Sequence, residues 1–178
     1  MLKRLEAIAL SNKDIMKLLD NKAEIVLYPN LHKYQNIDQV LGPHEAAVIL
    51  FEFKPEYGHW VCIWKLDKQT LSFFNSYGSY PDDSLLFIDG SFRDKTNQEY
   101  PYLSELFLKS PYKLTYNEYQ YQKHNKDIRT CGRHCVVRLY CRNLSDKQYH
   151  EFITSEMKKY KINADQLVTM LTPIPKKS

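Results

Sequence analysis

The sequence has no apolar run approaching the roughly 18 residues that a membrane-spanning helix needs. Its N-terminus, Met1-Leu2-Lys3-Arg4-Leu5-Glu6, has no hydrophobic stretch of the kind a secretory signal requires. Both absences argue against a membrane or secreted protein and lead us to expect an intracellular one. Glycine is scarce, with 5 residues in 178, which excludes a collagen-like or flexible chain and favours a well-ordered domain. There is no internal repeat and no low-complexity segment, so solenoids and linker proteins are excluded as well. Nor is charge concentrated. The net charge of +4 comes from scattered lysines, with only the short Lys176-Lys177 pair clustered. That balance leaves nucleic acid open as a partner without pointing to it. Cys131, His134 and Cys135 fall within one helical turn, but no second Cys/His pair has ligand spacing. We therefore expect no structural metal and no cofactor.

What is present suits one globular domain over residues 1–178, expected to be a monomer. Hydrophobic residues make up 43% and charged residues 26% of the chain, which is enough to close a full core. Tyrosine is abundant, at 14, and offers aromatic surface for gripping an extended polypeptide. In an intracellular setting Cys62, Cys131, Cys135 and Cys141 are expected to be reduced thiols.

The pattern reads as α+β, with a central mostly antiparallel sheet packed against helices. Ser11-Asn12-Lys13-Asp14 caps an amphipathic helix, and Glu24 to Tyr28 is a short strand. Residues 31–45 read as polar and irregular. Ala46 to Phe53 is a nearly continuous apolar run, a strand buried on both faces. His59 to Leu66 and Thr70 to Ser76 follow it as a meander, joined by a hairpin at Asp67-Lys68-Gln69. That hairpin brings His59, at the start of one strand, beside Asn75, at the end of the next. Further on, Tyr102 to Leu108 reads as a helix and Tyr112 to Asn117 as a strand. Ser145 and Asn163 each open a capped helix, the last stopped by Pro173 and Pro175.

Between these lies Thr130-Cys131-Gly132-Arg133-His134-Cys135. Polar, irregular sequence gives way here to a helical pattern with Cys131, Cys135 and Leu139 on one face. A thiol at a helix N-terminus meets unpaired amides and the positive end of the helix dipole, which favours thiolate. Thr130 is the expected N-cap, and Gly132 leaves the following amide unobstructed. Acyl transfer by cysteine needs a thiolate, a base, a group that orients the base and donors for an oxyanion. Cys131, His59, Asn75 and a loop carrying Gln120 and Gln122 supply all four at element ends. Each also has a bland reading: a buried cysteine, an edge histidine, a turn asparagine, loop glutamines.

Gly58-His59-Trp60, Phe74-Asn75-Ser76-Tyr77-Gly78, Gln122 and Thr130-Cys131-Gly132-Arg133-His134, in that order, resemble the cysteine proteases of the adenovirus maturation-protease and ubiquitin-like-protein-protease clan. The wording is most similar to the small proteases of virophages, Polinton-type elements and large DNA viruses. The resemblance covers residues 46–142, the catalytic core, flanked by an N-terminal region (1–45) and C-terminal helices (143–178). It implies an adenain-like fold with the nucleophile at the N-terminus of a buried helix. It further implies Cys131 as nucleophile, His59 as base and then acid, and Asn75 as the orienting group where the clan usually has aspartate. Gln122 would donate to the oxyanion, with Gln120 as the alternative. Trp60 would wall the substrate site beside the imidazole, unless it is simply a core aromatic, and Gly132 would line the same site. Cys135 and Cys62 read as buried filling, His134 as pointing elsewhere, and Cys141 as the best second exposed thiol.

The activity so implied is that of a cysteine endopeptidase that cleaves viral structural precursors during capsid maturation, in the host cytoplasm or virus factory or inside the particle. Two alternatives stand beside it. One is a protease that removes ubiquitin or a ubiquitin-like modifier from host proteins. The other is a non-catalytic module that grips peptides with Tyr77, Tyr80, Tyr116, Tyr119 and Tyr121.

Overall fold

The apolar run beginning at Ala46 lies inside a five-stranded sheet in the computed structural model, which describes residues 1–174. The strands are β1 (Glu24–Leu27), β2 (Ala46–Lys54), β3 (Tyr57–Lys65), β4 (Thr70–Phe74) and β5 (Lys113–Tyr116), in spatial order β1-β2-β3-β4-β5. The expected meander β2-β3-β4 is antiparallel, but β1 and β5 run parallel to their neighbours, so the sheet is mixed. Both edge strands connect to the meander by long crossovers, residues 28–45 and 75–112, as parallel pairing requires.

Alternation along each strand supplies two separate apolar layers. Val48, Leu50, Trp60, Cys62, Trp64 and Phe74 face one way, towards α2 (Asn12–Leu18), α6 (Cys131–Tyr140), α7 (Asp146–Tyr160) and α8 (Ala164–Leu171). Ala47, Ile49, Phe51, Val61, Ile63 and Phe73 face the other, covered by the crossover segments and α5 (Tyr102–Lys109). Because both faces are covered along Ala46–Phe51, that part of β2 needs apolar side chains at every position, and the continuous run from Ala46 follows.

The capping expectations at Ser11, Ser145 and Asn163 hold, each with its reciprocal side-chain box. Residues 31–45 are more regular than expected. A 3₁₀ turn (Tyr28–Lys33) and α3 (Ile37–Leu41), capped by Asn36, occupy them. Three further short pieces escaped the periodic reading: α1 (Leu2–Glu6), a 3₁₀ turn at Asp83–Phe87 and α4 (Gly90–Lys95), capped by Asp89. Five or six residues are too few to display a 3.6-residue period. Pro175, Lys176 and Lys177 lie outside the described residues.

The helix α6 is buried from Cys131 through Leu139 on every face, including Arg133, His134 and Arg138. Arg138 is held between the rings of Trp64 and Tyr149, 4.5 Å from each centroid, and donates to the Cys141 and Leu144 carbonyls at 2.8 Å. Its charge is thus matched inside the protein by aromatic faces, by the carbonyls at and beyond the helix end and by Asp146, 3.4 Å away.

Candidate active site

Cys131 is the first residue of α6 and is 7% exposed. Thr130 stands at the cap position but, with φ −99° and ψ 3° rather than the extended backbone of an N-cap, its side chain makes no capping bond; its hydroxyl donates to Asp165 at 2.6 Å. Three backbone amides, those of Trp60, Cys131 and Gly132, point at the thiol and favour thiolate. Burial acts the other way and prevails, so the Cys131 thiol is pushed above its ordinary value. The amides at the helix terminus oppose this rise without reversing it, contrary to the expectation from position alone.

His59, 4% exposed, bonds through Nε2 to Asn75 Oδ1 at 2.9 Å. The direction of that bond is fixed by the surroundings of Asn75. The Tyr77 amide donates to the same Oδ1 at 3.0 Å, while Asn75 Nδ2 donates to Ser84 Oγ at 3.2 Å. Oδ1 is therefore the acceptor, and Nε2 must carry the proton. Nδ1 is left as the basic nitrogen and has no hydrogen-bond partner among the described residues. Burial pushes the imidazole down to about 4, although the Asn75 bond opposes this. The expected juxtaposition of His59 and Asn75 thus holds, but with a different register. Phe74 lies opposite Cys62, which puts Val61, not His59, opposite Asn75. A slip of two residues preserves the face, so the two side chains still meet.

The turn Asn75-Ser76-Tyr77-Gly78 organises the rest. The Gly78 amide closes it onto Asn75 O at 2.8 Å. Gly78 has φ 74°, and a Cβ there would meet Glu118 O at 2.7 Å, so the position suits only glycine. Ser76 O accepts the amides of Tyr121 and Gln122, and Ser76 Oγ donates to Gln122 Oε1 at 2.7 Å. With Oε1 occupied, the Gln122 amide nitrogen is the end left to act, and it makes one long bond, 3.4 Å, to Ile128 O. Gln122 is buried, whereas Gln120 is exposed and donates to Gln122 O. Of the two glutamines the structure brings only Gln122 to Cys131. Asn117 grips the Asn75 backbone from the other side, accepting from its amide at 3.1 Å and donating to its carbonyl at 2.8 Å.

Cys131, His59 and Gln122 all line one cleft of about 190 Å³. That volume is below the range typical of drug-sized ligand sites. His59 enters it from the sheet face away from α6 and Cys131 from the α6 side, so they converge at the sheet end. Gly58 makes this possible. A Cβ on it would stand 1.7 Å from Phe51 O, so only glycine lets β2 approach β3 immediately before the histidine. Trp60 is a core residue whose ring lies against Gly132 and which is not among the cleft-lining residues; its amide faces the thiol. Gly132 is itself buried between Trp60, Ile15 and Leu10. The ring beside the imidazole is Tyr77, stacked on His59 at 4.8 Å and on His124 at 4.2 Å.

No family model matches the chain. It is 54% identical over 171 residues to an uncharacterized protein, V9, of Sputnik virophage, covering 96% of this chain and 98% of that one. The chain belongs to that virophage family.

Cys62 and Cys135 are buried, as is Cys131, and Cys141 is half-buried. Among the described residues no helix is long and apolar enough to cross a membrane, and no group of three or more His, Cys, Asp or Glu is placed to hold a metal. Of the tyrosines expected on a gripping surface, Tyr121 is buried under Tyr119 and His150, while Tyr80 remains exposed against Tyr116. Sequence reasoning missed Ser76, Ser84 and Asn117, which fix the orientation of Asn75 and Gln122, and Asp165, which receives Thr130 and His134. The contiguous Asn-Ser-Tyr-Gly turn was the one signal available for any of them.

Proposed function

We propose that this protein is a cysteine endopeptidase with an adenain-like fold, and that it cleaves viral structural precursors during capsid maturation. The observation that carries the reading is the convergence of Cys131, Gln122 and His59 in one cleft, with Nε2 of His59 locked to Asn75. Kinship with a virophage protein supports a viral substrate.

In this reading the resting pair is neutral. His59 Nδ1 takes the proton of Cys131 as sulfur attacks the carbonyl carbon of the scissile peptide bond. The oxyanion is met by the Gln122 side-chain amide and the Cys131 backbone amide. Collapse breaks the C–N bond, and His59 returns the proton to the leaving amine. Water, deprotonated by His59, then hydrolyses the thioester and regenerates the thiol. Asn75 keeps the ring in the one tautomer that permits this.

The test is incubation of the purified protein with a peptide library, recombinant virophage capsid precursors and ubiquitin-like fusions, with Cys131→Ala and His59→Ala as controls. Cleavage of precursors that both substitutions abolish, with a peptide-based electrophile attached at Cys131, is the expected result. Cleavage of ubiquitin-like fusions alone would move the substrate to conjugates. Turnover that survives Cys131→Ala refutes the mechanism. Absence of both turnover and adduct would return the protein to a peptide-binding module.

A further inference from the structure

Asp165 lies in the first turn of α8, where an acidic side chain is ordinarily accounted for by the helix dipole. Its surroundings go well beyond that. The carboxylate is 1% exposed and all its bonds to side chains and loop amides leave the helix. Oδ2 accepts the Lys123 amide at 3.1 Å, and Oδ1 accepts Thr130 Oγ1 at 2.6 Å and His134 Nε2 at 2.9 Å. Lys123 follows Gln122 directly, Thr130 precedes Cys131 directly, and His134 is one turn into α6. A single carboxylate therefore pins both ends of the 123–130 loop, and this loop joins the glutamine to the cysteine. The loop is held once more where the Arg129 amide donates to Glu6 O in α1 at 2.8 Å. Burial pushes the Asp165 carboxyl up, but the His134, Thr130 and Lys123 donors outweigh it and hold the group below the usual carboxylate range.

We propose that Asp165 is a positioning residue for the oxyanion donors: it sets the separation between the Gln122 side-chain amide and the Cys131 backbone amide. This rests on the acyl-transfer reading above. The Gln122 side chain is anchored on its Oε1 by Ser76, and its nitrogen makes only a long bond to Ile128, within the same loop. Where that nitrogen sits therefore depends on the backbone at 122–128, which Asp165 fixes at Lys123. A misplacement of about 1 Å at such a site can cost about 100-fold in rate.

Asp165→Asn is the informative change, because an amide cannot accept all three donors while keeping the side chain's shape. Hydrogen exchange of the 123–130 amides should accelerate while α6 and the sheet exchange as before. Peptide hydrolysis should lose about 10- to 100-fold in kcat with KM little changed. Alkylation of Cys131 by iodoacetamide, which needs a thiolate but no oxyanion donor, should proceed at the wild-type rate. Thr130→Val, which deletes one of the three donors and nothing else, should move loop exchange and kcat the same way by less. The proposal is overturned if Asp165→Asn leaves loop exchange and kcat unchanged. It is equally overturned if exchange accelerates throughout the protein and kcat falls while all four cysteines become open to alkylation, since Asp165 would then only support the fold. Should the wild-type protein hydrolyse no peptide, the protease reading fails, and loop exchange alone still decides whether Asp165 sets this loop.

Discussion

Acid should destabilise this protein through His59, by an amount that the structure lets one work out. The folded imidazole titrates at about 4 because it is buried; an unfolded histidine titrates near 6.5. The unfolded chain thus takes up the proton first, so stability is unaffected above about pH 6.5 and falls as pH drops from there towards 4. With about 1.4 kcal/mol per pKa unit, the loss is about 2 kcal/mol at pH 5 and about 3 kcal/mol at pH 4. Other groups also shift on folding, among them Glu6, whose carboxyl is pushed up by burial and by the charge of Asp165. They are common to wild type and His59→Gln, whose amide can still donate to Asn75, so the difference between the two isolates His59. Urea unfolding of both between about pH 8 and pH 4 should show the wild type losing about 3 kcal/mol relative to the variant. A standing thiolate–imidazolium pair would do the reverse: the folded pKa would lie above 6.5, and the wild-type advantage would fade as pH rises. A flat difference, or one of that opposite sign, refutes the neutral resting pair.

Four other outcomes follow from the same geometry. Gln122→Ala should lower kcat about 100-fold or more, whereas Gln120→Ala, on an exposed side chain, should change kcat little; steady-state kinetics on any cleaved peptide separates the two. Asn75→Ala should leave partial activity, since it removes the orientation of His59 and none of the reacting groups; activity as low as that of Cys131→Ala would contradict this ranking. Asn75→Asp places a negative charge against Nε2, so the imidazole pKa should rise, and alkylation of Cys131 should begin at lower pH than in wild type. Gly58→Ala should destabilise by more than about 2 kcal/mol in thermal unfolding, because the added Cβ would lie 1.7 Å from a backbone oxygen that cannot easily move.

The parts of this molecule that were legible in the sequence share a local or periodic signature. The unbroken apolar run from Ala46, the hairpin after Leu66 and the capping boxes at Ser145 and Asn163 each occupy a few adjacent residues, and each formed as read. His59, Asn75 and Cys131 could be picked out because they stand at or near element ends, where side chains converge. Even a two-residue error in strand register left His59 and Asn75 on one face, since strand faces repeat every second residue. The buried polar groups had no such signature. Arg133, His134, Arg138 and Asp165 look like surface residues to any reading of hydrophobic period, yet all four are buried. For all but Arg138 the hydrogen-bond partners lie far along the chain: Thr130 and Asp165 are 35 residues apart, His134 and Asp165 are 31 apart, and Arg133 and Thr172 are 39 apart.

The thiol shows most clearly why position alone misled. A helix N-terminus lowers a cysteine pKa only to the extent that burial does not raise it, and burial depth is a property of the whole fold. At Cys131 the amides do point at sulfur, but the residue sits against Trp60, Ile15 and Leu10 through its neighbour Gly132, and desolvation wins. The same burial acts on His59 in the opposite sense and leaves it a weak base. An aspartate at position 75 would add an unneutralised charge to this enclosed site whenever the pair was neutral, and burying such a charge is costly. Asparagine holds the ring in the same tautomer without that cost. A neutral orienting group thus suits a neutral resting pair. In the proposed mechanism charge would then separate only when substrate is bound, and the Gln122 and Cys131 amides would receive the oxyanion.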